Sequence, residues 1–108
     1  MQVLIVTGGY ATNQYLTSTE LLDYSAPAGG WKMAGPLPSK RRGLKAAKLD
    51  QVVHVTGGFN GGGYMDSILS WSHDSKSWTV VGYLAAERDH HGVAEVSLAT
   101  VEDYCVGL

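Results

Sequence analysis

Several groups of residues have the types that chemistry uses. Residues 57–63 read GGFNGGG, a glycine run of the kind whose backbone N–H groups cradle phosphate. A phosphate loop needs a Gly-Lys-Ser/Thr ending and a helix N-terminus behind it. Here a turn and a strand-like segment follow, so the run is read as a hairpin loop. His90 and His91 follow Arg88 and Asp89, with Glu102 and Cys105 further on. Adjacent histidines on an extended chain point to opposite sides and do not converge on one ion. No His-x3-His or Cys-x2-Cys spacing accompanies them. Lys40, Arg41, Arg42, Lys45 and Lys48 bring five of the eight basic residues into one short segment. That is either an acidic-partner site or, as charge runs usually are, a solvated loop. No catalytic residue, metal or cofactor is expected.

The elements that position these residues follow from composition. The 108 residues suffice for one compact domain, and 44% hydrophobic with 17% charged residues is the balance of a folded globular chain. A net charge of −2 gives no general attraction to nucleic acid or to an anionic membrane. The apolar run VLIV at residues 3–6 is too short for a signal h-region or a membrane span. The single cysteine, Cys105, forms no internal disulfide, which fits a reducing, cytoplasmic location. The 14 glycines are about twice the average share of roughly 7%, and point to many tight turns between short strands.

Sliding the sequence over itself reveals a repeat. At an offset of 49, QVLIVTGGY beginning at Gln2 lies over QVVHVTGGF beginning at Gln51, and Tyr15 falls on Tyr64. At 47, Leu22 meets Leu69, Tyr24 meets Trp71, Trp31 meets Trp78, Gly35 meets Gly82 and Arg41 meets Arg88; the offset returns to 49 where Gly43 meets Gly92. Each copy reads as strands. QVLIVT and QVVHVT are β-branched runs stopped by a double glycine. STELLDY and DSILSW alternate around Leu21 and Ile68, as strands with one buried face do. Pro-Gly or Asp-Ser turns follow, then strands opening on Trp31 and Trp78. Further strands are expected at residues 44–49 and 93–98. KRRGLKAAKLD, beginning at Lys40, also suits a helix, but its counterpart HGVAEVSL is strand-like, and strand is preferred.

These landmarks resemble the kelch repeat: Gly8-Gly9-Tyr10, Tyr24, Trp31 and Arg41 or Arg42, then Gly57-Gly58-Phe59, Trp71, Trp78 and Arg88. The spacing suits kelch, about 50 residues, and Trp71 replaces the usual Tyr. The resemblance implies an all-β fold of antiparallel four-stranded blades, here a partial β-propeller. Residues 1–42 would form a first repeat lacking its opening strand, 43–91 a second, and 92–108 the start of a third, with residues 105–107 over Thr56-Gly57-Gly58. A propeller typically closes with about 4–8 blades. The chain is therefore expected to be part of a longer propeller, or to self-associate to complete one. The paired tryptophans would fill the space between blades, each with an N–H that wants a partner.

Functionally, the resemblance implies a non-enzymatic protein–protein interaction module binding an unidentified protein partner through loops on one face. Tyr10, Phe59 and Asn60 follow the double glycines, and Arg41 and His90 occupy matching positions before the next strand. Exposed aromatics and arginines suit interface hot spots; equally, Tyr10 and Phe59 simply cover the blade end. Many kelch proteins serve ubiquitin ligases or actin scaffolds. The alternatives are a piece of a propeller enzyme, of oxidase or sugar isomerase type, and a non-functional propeller fragment. A copper oxidase site would need a Tyr–Cys crosslink, for which only Cys105 has the thiol.

Overall fold

A computed structural model describes residues 2–89 and 91–93. The strands are β1 Val3–Thr7, β2 Tyr10–Ala11, β3 Gln14–Tyr15, β4 Thr19–Asp23, β5 Lys32–Ala34, β6 Lys45–Leu49, β7 Val52–Phe59, β8 Tyr64–Ser72 and β9 Ser77–Tyr83, with one 3-10 turn at Pro27–Gly29. They form a three-stranded sheet in the order β1-β4-β5, a small β2-β3 hairpin, and a four-stranded sheet β6-β7-β8-β9. Every pairing is antiparallel. The fold is the expected all-β one, and the second sheet is a four-stranded blade.

Local chemistry accounts for these elements. Residues 45–49 form a strand, not a helix, because Asp50 and Gln51 both adopt positive φ, 49° and 68°. Two such residues make a tight hairpin turn that folds β6 directly onto β7. Thr12 and Asn13, at φ 51° and 61°, do the same between β2 and β3. The double glycine stops β1 at Thr7, but β7 continues through Gly57 and Gly58 to Phe59. There the register shifts in a bulge between Thr56 and Gly58, which glycine at positive φ accommodates.

The double glycines have a second use, repeated in both copies. Gly9 N–H donates to the Arg41 carbonyl at 2.7 Å, and Gly58 N–H donates to the Arg88 carbonyl at 2.8 Å. The junction arginine's backbone thus lies directly against the glycine pair. A Cβ on Gly8 would sit 2.9 Å from the Arg41 oxygen, and one on Gly57 would collide with that of Arg88. Gly8 and Gly57 also hold φ of +68° and +63°, so another residue type would be strained there even before the collision.

The two sheets pack face to face. Their buried centre is Leu37, Val55, Leu69, Trp71 and Trp78, against which Ile5, Leu21, Ala34, Leu44 and Val53 pack. In the leading sheet, Ile5 pairs with Leu21, and these face the trailing sheet. Leu4 and Val6, one step along the pleat, face away and are exposed. In the trailing sheet, Val55 pairs with Leu69 and Trp71 with Trp78, all on the covered side. Leu69, not Ile68, is therefore the fully buried residue of β8. Both neighbours are apolar because a stacked blade has two faces to cover, so local alternation does not say which one is covered first.

Polar contacts lock the joint between the sheets. The Trp78 indole N–H donates to Thr19 Oγ1 at 3.0 Å, and Thr19 is itself bonded to Thr7 Oγ1 at 2.7 Å. Gly35 N–H donates to the Lys76 carbonyl at 2.9 Å. Trp71 and Trp78 pack with ring centroids 5.0 Å apart. Trp31 differs from its expected role: it is 48% exposed, against 9% for Trp78. Tyr24 is exposed as well. Both lie toward the uncovered side of the leading sheet. Residues 94–108, including the expected strand at 93–98 beyond its first residue, the third-repeat strand, Glu102 and Cys105, lie outside the described residues, as does His90.

Candidate interaction face

The ends of the two sheets that carry the double glycines converge on one aromatic cluster. Tyr10 opens β2, Tyr15 closes β3, Phe59 ends β7 and Tyr64 starts β8. Their rings follow one another in a row: Tyr10 to Tyr15 at 4.9 Å and Tyr15 to Phe59 at 5.9 Å, both edge to face, and Phe59 to Tyr64 at 5.0 Å, tilted. The short hairpins place them, since cross-strand partners Tyr10–Tyr15 and Phe59–Tyr64 stand side by side on one surface.

Arg42 joins the two halves of this row. Its backbone pairs with Phe59 in both directions, at 2.9 and 2.8 Å. Its guanidinium carbon lies 4.9 Å from the Tyr10 ring centre, 5.3 Å from Tyr15 and 5.9 Å from Phe59. Positive charge over aromatic faces is attractive, by about 0.5–2 kcal/mol per contact depending on desolvation. The result is a cation held in a fixed position with the rims of Tyr10 and Tyr64 open to solvent. Arg42 Nε is buried there with no hydrogen-bond partner.

Asn60 organises the adjoining loop. Its side-chain oxygen accepts from the N–H groups of Gly62 and Gly63 at 2.8 and 2.9 Å. The glycine run therefore closes on its own asparagine and leads from strand to strand, with no helix N-terminus behind it.

Arg41 is a correction to the sequence expectation. It is 1% exposed and so does not belong to an exposed face. Its Nη1 donates to Ser67 Oγ at 2.7 Å and to the Gly57 carbonyl at 3.3 Å, and its Nη2 donates to Ser39 Oγ at 2.7 Å. Burial pushes its guanidinium below the ordinary arginine value. Successive residues of an extended segment point to opposite sides, so of the Arg41-Arg42 pair only one can reach the aromatic row. The structure selects Arg42, which the sequence reading gave as the alternative junction arginine and as part of the basic segment, while naming Arg41 for the face.

The remaining candidates separate. The basic segment is not one patch: Arg41 is buried, Arg42 is stacked on rings, and Lys45 and Lys48 sit three residues apart on β6, on opposite faces of the strand. His91 Nε2 lies 2.6 Å from Thr56 Oγ1, tying the junction back onto β7. Among the described residues no group of three or more His, Cys, Asp or Glu side chains is placed to hold a metal ion. No helix among them is long and apolar enough to cross a membrane.

Comparison with curated proteins finds a relative described as "Kelch-like protein 23" of Mus musculus, 28% identical over 85 residues, which is 77% of this chain and 15% of the relative. The tandem sheets and this match agree. The chain's two repeats are similar to kelch repeats. No family model matches it, and the chain spans only 15% of the length of the curated relative. The kelch landmarks now have physical roles: the double glycines receive the junction arginine's backbone, and the tryptophan of the second repeat fills the space between blades.

Proposed function

We propose that the chain is a non-enzymatic protein-interaction module of kelch type, binding a protein partner through the loop end of its blades. The observation that carries this reading is the Arg42 guanidinium held against Tyr10, Tyr15 and Phe59, beside the Asn60 loop. Aromatic and arginine side chains on rigid hairpins lose little conformational freedom on binding and dominate interface energetics. On this reading Tyr10, Phe59 and Asn60 contribute to the face, Tyr64 and Arg42 extend it, and Arg41 supports it from beneath. The repeats divide at residues 42 and 91, and a single cysteine suits work in the cytoplasm.

The test uses a displayed random-peptide library selected on the purified chain. Selected peptides should carry carboxylates that meet Arg42, and should lose roughly tenfold or more in affinity to Tyr10→Ala and Tyr64→Ala, the scale of hot-spot residues. Both positions are exposed, and circular dichroism would confirm that the variants keep their fold. Peptides that bind both variants as well as the parent chain would remove this face from the account.

A further inference from the structure

Asn60 is followed by a glycine that the fold requires. A Cβ on Gly61 would sit 2.8 Å from the Tyr15 ring, and its φ of +94° is one that other residues rarely adopt. With no side chain, Gly61 leaves its own nitrogen unshielded in an exposed stretch of the loop. Asn60 and Asn13 are the two asparagines of the chain. Asn13 precedes Gln14, whose side chain crowds the corresponding nitrogen.

The loop holds the Asn60 amide as an acyl group is held for attack. Its Oδ1 accepts from the N–H groups of Gly62 and Gly63 at 2.8 and 2.9 Å. The first of these bonds closes an Asx turn, which folds Cγ back over the Asn60–Gly61 peptide. Backbone donors aimed at a carbonyl oxygen bind it more strongly once it becomes an oxyanion. The nucleophile and the leaving group are unrestrained. Among the described residues neither the Gly61 N–H nor the Asn60 Nδ2 makes a hydrogen bond.

We propose that Asn60 is a self-modifying site, where the folded loop promotes conversion of the asparagine to aspartate and isoaspartate. Hydroxide takes the Gly61 N–H proton, and the nitrogen's electron pair forms a bond to Asn60 Cγ. The Gly62 and Gly63 N–H groups hold the resulting oxyanion. The Cγ–Nδ2 bond then breaks, Nδ2 takes a proton from water, and ammonia leaves behind a cyclic imide. Water opens the imide at either carbonyl. Opening at Cγ gives aspartate, and opening at the main-chain carbon gives isoaspartate, with an extra methylene in the backbone. A water is consumed and an ammonia released, with no redox step. The product places a carboxylate next to Phe59, whose backbone pairs with Arg42, and so adds negative charge at the loop end of the blades.

Mass spectrometry of the full chain, aged in mildly alkaline buffer and then digested with pepsin at acid pH, tests this. Circular dichroism checks that the aged chain stays folded. A second sample is aged unfolded in guanidinium chloride at the same pH and temperature. The peptide holding Asn60 should gain the mass of an amide-to-acid exchange and become a substrate for an isoaspartyl methyltransferase. The peptide holding Asn13 should stay unchanged. Conversion should run about tenfold faster in the folded chain, a barrier lower by about 1.4 kcal/mol. Asn60→Gln, whose longer side chain closes the imide poorly, should abolish the signal. A folded chain that converts no faster than the unfolded one, or whose Asn60 stays an amide, overturns the proposal. Equal conversion at Asn13, or a signal that survives Asn60→Gln, overturns it as well. Peptide selection on the loop face uses freshly prepared chain, so the interaction reading stands or falls separately.

Discussion

Trp78→Ala will destabilise the chain by about 3–5 kcal/mol, the range for removing a buried large aromatic, whereas Trp31→Ala will change it by less than about 0.5 kcal/mol. Repeat logic alone makes the two residues equivalent and expects the same large loss from each. The structure separates them. Trp78 lies between the sheets, packed on Trp71 and bonded to Thr19, so its removal opens a cavity and takes away one of the two hydrogen bonds of the buried Thr19 hydroxyl. Trp31 lies on the uncovered side of the leading sheet. The comparison is made by urea unfolding at concentrations low enough to keep the chain monomeric. Equal losses from both substitutions would mean that the covered face has been assigned to the wrong side of the blade.

The adjacent arginines should differ just as sharply. Arg41→Ala is expected to cost about 3–5 kcal/mol, combining hydrogen bonds from a charged donor with the cavity its side chain leaves. Ser67 Oγ and the Gly57 carbonyl would lose a donor in a buried setting, next to the bulge that turns β7 toward the loop face. Arg41→Lys should recover little, because an ammonium cannot span Ser39 and Ser67 as the guanidinium fork does. Arg42→Ala should cost only about 1 kcal/mol, the scale of a partly solvated cation–π contact. Chemical unfolding of the three variants checks this. A larger loss from Arg42 than from Arg41 would reverse the roles given to the pair.

The fold was legible because its signals are local. The β-branched runs before each double glycine, the turn residues and the matched order of landmarks each determine a strand or a turn within a few residues. The aromatic residues after the glycines were also legible, since the hairpin fixes Tyr10 and Phe59 beside their cross-strand partners. Sidedness was not legible. Alternation along β8 makes Ile68 and Leu69 opposite in direction, but only the neighbouring blade determines that Leu69 is covered first. The same limit hid the exposure of Trp31, whose motif position matches that of the buried Trp78. Arg41 and Arg42 were interchangeable in sequence for a related reason. Which one reaches the rings depends on where the linker meets Phe59, and that contact joins residues far apart in the chain. Arg42 had one sequence signal: it sits one step out of phase with a neighbour that the motif already uses.

The central claim is that two kelch-like blades stack through one face, with that face covered in the second and open in the first. Solvent exchange of the indole N–H protons, followed by NMR on the dilute monomeric chain, tests it most directly. The account predicts that the Trp78 Nε1 proton exchanges slowly and shows a cross-peak to Thr19, while the Trp31 Nε1 proton exchanges at the rate of an exposed indole. Fast exchange at Trp78, or equal protection of the two, would contradict it.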